Sequence, residues 1–258
     1  MTSKEKLLTR LAEIGDSLAQ RENALALIGL GSVGEDMDRL DEYSDLDFFA
    51  IVKDGSKASY LNELSWLSDI APIAYIFRNT PDGYKLLYED GVFCEFAVFE
   101  MEELFQAAYA PGRILWKADV VDEDIRIPHK QTPPHQKSSV EWLVGEALTN
   151  LYVGLCRDKR GEKLSACRFI QGYAVDRILE LAEYIAEPAV ENQDQFDLER
   201  RFEQRFPEIA EKLPVFVQGY ERNAESAQEI LDSLDAHFGL NPAMKAEILK
   251  LVITSRKA

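Results

Sequence analysis

The chain has 258 residues, 46% of them hydrophobic and 29% charged, the balance of a globular protein with one large domain or two modest ones. A formal net charge of −17 with no dense basic cluster argues against nucleic acid as a partner, because phosphate backbones are held by grouped Lys and Arg. Cys94, Cys156 and Cys167 are too few and too scattered for a disulfide framework or a zinc motif, and no apolar run approaches the roughly 18 residues that cross a bilayer.

Residues 1–6 lack the apolar stretch of a signal peptide, so a cytoplasmic location and no membrane partner are expected. Residues 4–21 carry Leu7, Leu8, Leu11, Ile14 and Leu18 at spacings of three and four, which predicts an amphipathic helix. Residues 23–30 predict a short buried strand that stops at Gly29-Leu30-Gly31, and residues 46–52 a second strand ended by Lys53-Asp54-Gly55. A helix is expected over 60–70. Strands are expected over 73–77, 84–88 and 92–99, with Pro81-Asp82-Gly83 and Glu89-Asp90-Gly91 as the turns between them. Residues 122–137 hold Pro128, Pro133, Pro134, His129 and His135 and read as an irregular linker whose histidines are plain loop residues.

Beyond that segment the period becomes helical. Helices are predicted over 138–157, 162–186, 196–206, 215–238 and 242–255, punctuated by Pro207, Pro214 and Pro242. The expected fold class is α+β: a mixed sheet with helices over residues 1–120, a Pro-rich linker over 121–137, and a helical bundle over 138–258. Cys156 and Cys167, on helical patterns, are expected to be buried apolar thiols. Trp66 is expected in the core, and Trp142 and Tyr173 lie at core-like spacing.

The chemistry concentrates in the first half. Asp45 and Asp47 stand two residues apart at the start of an apolar strand, so alternation turns both carboxylates to one side. Carboxylates that close repel unless a cation neutralises them, and a hard divalent ion with oxygen ligands does so. Asp is also depleted in strands, and such breaches of local propensity tend to mark sites. Glu95 is the only charge inside the apolar run Val92-Phe93-Cys94-Glu95-Phe96-Ala97-Val98-Phe99. If its strand lies beside the Asp-Leu-Asp strand, three acids converge to hold metal against triphosphate oxygens. Glu95 is then also placed to take the proton of an attacking hydroxyl. The turn Gly29-Leu30-Gly31-Ser32-Val33-Gly34 supplies small residues, N–H groups and a hydroxyl that suit phosphate.

Gly31-Ser32, a spacer, Asp45-Leu46-Asp47 and a later Glu95 resemble the motif of the nucleotidyltransferase superfamily that includes DNA polymerase beta. The likeness extends toward the lincosamide and aminoglycoside nucleotidyltransferases through Ser44-Asp45-Leu46-Asp47-Phe48, Trp66-Leu67-Ser68-Asp69-Ile70-Ala71-Pro72, Asn150-Leu151-Tyr152 and Lys159-Arg160-Gly161-Glu162. It is best over residues 25–105 and 140–185. The resemblance implies a nucleotidyltransferase-type sheet domain followed by helices, with Mg²⁺ held by Asp45, Asp47 and Glu95. It implies triphosphate contacts from Gly31 and Ser32, and transfer of a nucleoside monophosphate from a nucleoside triphosphate, ATP among them, with release of pyrophosphate. The implied acceptor is a small hydroxyl-bearing molecule such as a lincosamide or aminoglycoside, as in antibiotic resistance. Tyr43, Tyr75 and Tyr152, with Trp66 as the alternative to its core role, are candidates to stack on a base or an antibiotic ring. Some relatives build the acceptor pocket between two chains, so the resemblance admits a homodimer.

Two features depart from the family pattern. The residues after the Gly-Ser turn are acidic, Gly34-Glu35-Asp36, where relatives carry a basic residue, and the spacer is longer. Phosphate charge must then be met elsewhere, with Arg39, Lys159, Arg160, Lys163 and Arg168 as candidates and Arg160 and Lys163 foremost. Two other readings stay open: nucleotidylation of a protein acceptor, and a non-catalytic nucleotide-sensing or partner-binding module on the same fold.

Overall fold

A computed structural model describes residues 2–130, 138–190 and 197–255. The chain divides into two compact units, Met1–Pro133 and Pro134–Ala258. The first holds a six-stranded mixed sheet and the second is helical, so the α+β class expected from the sequence is the one adopted.

Helix α1 (Ser3–Ala19) begins at a capping box in which Thr2 and Glu5 satisfy each other's backbone N–H groups. Its buried Leu7, Leu11, Ile14 and Leu18 join a core on one face of the sheet. The strands are β1 (Ala24–Gly29), β2 (Leu46–Val52), β3 (Ile73–Thr80), β4 (Gly83–Tyr88), β5 (Phe93–Glu100) and β6 (Arg113–Lys117), in the spatial order β3-β4-β5-β2-β1-β6. Only the central pair β2–β5 runs parallel.

Alternation sorts the side chains of that pair. Leu46, Phe48 and Ala50 of β2 and Cys94, Phe96 and Val98 of β5 are buried together with α1, Trp66 and Leu67. The other face carries a smaller core, in which Ile51 and Ile28 pack with Leu104, Tyr109 and Ile125. That second core thins toward the start of β2, which leaves Asp47 and Glu95 partly exposed.

Several expected elements are adjusted. The helix expected over 60–70 is split into α2 (Lys57–Asn62) and α3 (Ser65–Ser68) by extended backbone at Glu63. The break lets Trp66 turn inward and donate its Nε1–H to the Tyr60 carbonyl at 3.1 Å. Two elements had no counterpart in the sequence reading: α4 (Met101–Gln106), which opens with a Glu100–Glu103 capping box, and β6. Val121 and Ile125, at the start of the segment read as a linker, are buried against the second core.

In the second unit, α5 (Val140–Lys159) is the central helix. Its Leu143, Ala147, Leu151 and Leu155 pack among α7 (Val175–Ile185), α11 (Asn223–His237) and α12 (Pro242–Ser255). The expected helix over 162–186 is α6 (Lys163–Cys167), a π-helical stretch over Arg168–Ala174, and α7. Gly154 allows the π stretch to approach, since a Cβ there would lie 2.5 Å from Ile170. Of the expected helix over 196–206, Phe196 lies outside the described residues; the described part forms α8 (Phe202–Arg205), followed by α9 (Pro207–Ala210). The helix expected over 215–238 is interrupted: α10 (Leu213–Phe216) and α11 are separated around Gly219, whose φ is +95°. No helix among the described residues is long and apolar enough to cross a membrane.

The expected core roles change at four residues. Trp142 and Tyr173 are 48% and 38% exposed, because helical spacing does not say how far a partner covers a stripe; Arg177 instead lies over the Trp142 ring. Cys156 and Cys167 are only partly buried, and the fully buried thiol is Cys94.

Candidate functional site

The parallel register places Asp47 directly opposite Glu95 and Leu46 opposite Cys94. Paired residues of adjacent strands point to the same side, so Asp47 and Glu95 share the less covered face. Phe48 and Phe96, the next residues along, stack on the other face with centroids 5.3 Å apart. The acids and the rings behind them are thus held by one register.

Asp45 sits one residue before β2 and is partly exposed. Both Asp45 and Asp47 act on the buried Cys94 thiol. Burial is the main cause that pushes its pKa up to about 12, Arg10 opposes this, and the two aspartates add to it. A thiol so placed resists ionisation and hence attack. In a thiol titration of the native protein near pH 8, Cys94 is expected to stay unmodified while Cys156 and Cys167 react, and to react only after denaturation. Modification of Cys94 in the native state would mean that this part of the sheet opens readily.

The Gly-Ser turn closes the same corner. Leu30 N–H donates to the Asp47 carbonyl at 2.8 Å, which ties the turn to β2. Gly31–Val33 then form one 3-10 turn, closed by Gly34 N–H donating to the Gly31 carbonyl. Gly31 has φ +52°, and a Cβ built on it would lie 3.6 Å from Asp47 Oδ2, so its backbone lies against that carboxylate. Gly34 is constrained by space: a Cβ there would come within 2.9 Å of the Gly29 carbonyl and of Leu30 backbone. The first N–H groups of a helical turn have no partner within it. Among the described residues those of Gly31 and Ser32, and the Ser32 hydroxyl, carry no hydrogen bond.

Glu95 is engaged from β3 and β4. Asn79 Nδ2 donates to Glu95 Oε1 at 2.9 Å, and Lys85 Nζ lies 3.0 Å from Glu95 Oε2. Lys85 is the register partner of Glu95 on β4, so Lys85, Glu95 and Asp47 form one row across three strands. Asn79 Oδ1 is buried without a hydrogen-bond partner, an orphan acceptor beside the carboxylate.

Among the described residues no group of three or more His, Cys, Asp or Glu side chains is drawn together as a metal cluster. The donor chemistry nevertheless fits a hard divalent ion: acidic oxygens at adjacent register positions on one open face. Glu95 itself is held by its contacts with Lys85 and Asn79.

Basic residues also gather at the turn. Arg113 Nε donates to the Val33 carbonyl at 3.2 Å, and its Nη2 is buried without a partner. Arg126 pairs with Glu35, and Arg39 Nη1 with Asp36 at 2.9 Å, so the acidic residues after the turn are met by arginines. Arg160 and Lys163 belong to the second unit. There Arg160 Nε lies 3.0 Å from Glu162 and Lys163 pairs with Glu221, the hydrogen bond to Glu221 being the main cause that raises the Lys163 pKa. Lys159 is exposed, and the Arg168 guanidinium lies 5.3 Å from the Tyr173 ring. His129 stacks on Phe105 at 4.3 Å, whereas His135 lies outside the described residues.

Asn79, Lys85, Arg113 and Arg126 were absent from the sequence reading. Lys85 had a signal, as the one charge of an alternating strand. Asn79 had none, since a register irregularity between Phe77 and Thr80 precedes the turn and breaks the alternation.

No protein-family model matches the sequence, and no curated protein does. Among solved structures the chain is similar to an aminoglycoside 6-adenyltransferase from Bacillus subtilis, at 12% identity over 100% of both chains with a TM-score of 0.32. It is also similar to a nucleotidyltransferase-like protein from Exiguobacterium sibiricum 255-15, at 10% identity over 93% of this chain and 71% of that one with a TM-score of 0.31. Likeness this distant fixes no residue's role; roles rest on register and contacts.

Proposed function

We propose that the protein is a metal-dependent nucleotidyltransferase that moves a nucleoside monophosphate from a nucleoside triphosphate to a hydroxyl of a small molecule. The observation that carries the reading is the register of Asp47 with Glu95, with the Gly31 backbone against the Asp47 carboxylate. Gly31 and Ser32 would hold phosphate oxygens through backbone N–H groups and the Ser32 hydroxyl. Asp45, Asp47 and Glu95 would hold Mg²⁺, which supplies charge neutralisation on the triphosphate when bound. Glu95 accepts the proton of the acceptor hydroxyl, the acceptor oxygen bonds to the α-phosphorus, and the bond to the β-phosphate oxygen breaks to release pyrophosphate. Arg39 and Arg113, which lie beside the turn in the first unit, are the cations we assign to phosphate.

The test is pyrophosphate release from each nucleoside triphosphate with Mg²⁺ across aminoglycosides, lincosamides and simple alcohols. Release that depends on one acceptor class is the expected result. A second reading, a nucleotide sensor without catalysis, is favoured by the engagement of Glu95 with Lys85 and Asn79. Nucleotide binding without release for any acceptor would select it, and absence of nucleotide binding would overturn both.

A further inference from the structure

We infer that Lys85 is a built-in counter-ion for Glu95 that gives way when metal binds and then takes up the triphosphate; the inference rests on the nucleotidyltransferase reading. Asp47 and Glu95 are register neighbours on one face of the sheet, and like charges so placed are costly unless each finds compensation. The Lys85 ammonium provides that compensation from the next strand at 3.0 Å, and the Asn79 amide adds a hydrogen bond at 2.9 Å. Neither contact suits a purely structural device. Lys85 and Glu95 side chains are 42% and 41% exposed, and an ion pair so hydrated holds weakly. Asn79 also keeps a buried Oδ1 without a partner beside Glu95, an acceptor left for a ligand group.

The row Lys85–Glu95–Asp47 gives Lys85 a second task. When Glu95 engages the metal together with the aspartates, the ammonium loses its partner on the same face of the sheet. A free ammonium within one strand of the acids attracts the phosphate oxygens brought to the Gly31-Ser32 turn. This supplies charge that the acidic residues after the turn withhold.

The two tasks have opposite signs in one variant, which makes them separable from a folding defect. Lys85→Met should bind Mn²⁺ roughly three- to fivefold more tightly than wild type without nucleotide, because the competitor of the metal is gone. The same variant should bind a non-hydrolysable nucleoside triphosphate with metal about tenfold more weakly, a charge-assisted contact being lost. Lys85→Arg, which keeps the charge, should stay near wild type in both. Mn²⁺ is followed by its paramagnetic resonance signal and nucleotide by calorimetry, with Asp47→Asn as the site control. If wild type binds Mn²⁺, Asp47→Asn does not, and Lys85→Met matches wild type, the counter-ion role is overturned while the nucleotidyltransferase reading stands. Weakening of both ligands in Lys85→Met shows a structural role only and also overturns it. If neither wild type nor Lys85→Met binds Mn²⁺, both fall.

Discussion

Asp47→Asn should lower nucleotide transfer by about a thousandfold while leaving the protein folded. Asp47 stands at the centre of the constellation: opposite Glu95, two residues from Asp45, with its carbonyl bonded to Leu30 N–H and its carboxylate beside the Gly31 backbone. An amide keeps the shape and loses the charge. In the proposed chemistry that charge holds the cation on which neutralisation of the triphosphate depends, and losses of this kind cost about 4 kcal/mol of transition-state stabilisation. The backbone bond from Leu30 is untouched, and partly exposed positions tolerate isosteric change, so the melting temperature should move by only a few degrees. Acceptor-dependent rates and a thermal melt on the same preparation check both halves. A folded variant with undiminished transfer would remove Asp47 from the metal site and the nucleotidyltransferase reading with it.

The part of this site that could be read beforehand is the part written in local pattern. Asp45-Leu46-Asp47 announced itself by placing acids where β-propensity disfavours them, and Glu95 by being the one charge in an apolar run. The strands carrying them were visible as short apolar runs bounded by turn residues, the pattern of strands covered on both faces. What pairing decides was hidden. That Asp47 meets Glu95 in parallel register, and that Lys85 is third in the row, follows from the strand order, which no window of sequence contains. Edge strand β6 was missed because all five of its residues are half-buried, so it shows no alternation, and Arg113 was missed with it. The splitting of the helix at Glu63 and of the one near Gly219 reflects packing and a left-handed turn that override local propensity.

Trp66→Ala should be the most damaging single change to the stability of the first unit, and it should disturb the site from the opposite face of the sheet. Trp66 is 1% exposed. Its ring meets Phe96 edge-on at 5.3 Å and Phe48 at 6.3 Å, with Tyr60 at 6.2 Å, and its Nε1–H bonds the Tyr60 carbonyl. Removal leaves a large cavity and an unpaired carbonyl, which together cost about 3–5 kcal/mol. For a unit of this size that is a fall of on the order of 10–20 °C in melting temperature. Phe48 and Phe96 immediately follow Asp47 and Glu95, and their stacking is braced by the indole. A loosened stack frees β2 and β5 to shift, so the acids should lose alignment before the unit unfolds. Transfer activity below the melting transition should therefore drop more in Trp66→Ala than in Trp66→Phe, which keeps most of the wedge. Equal activities for the two at a temperature where both are folded would show that the register of the acids does not depend on the aromatic core behind them.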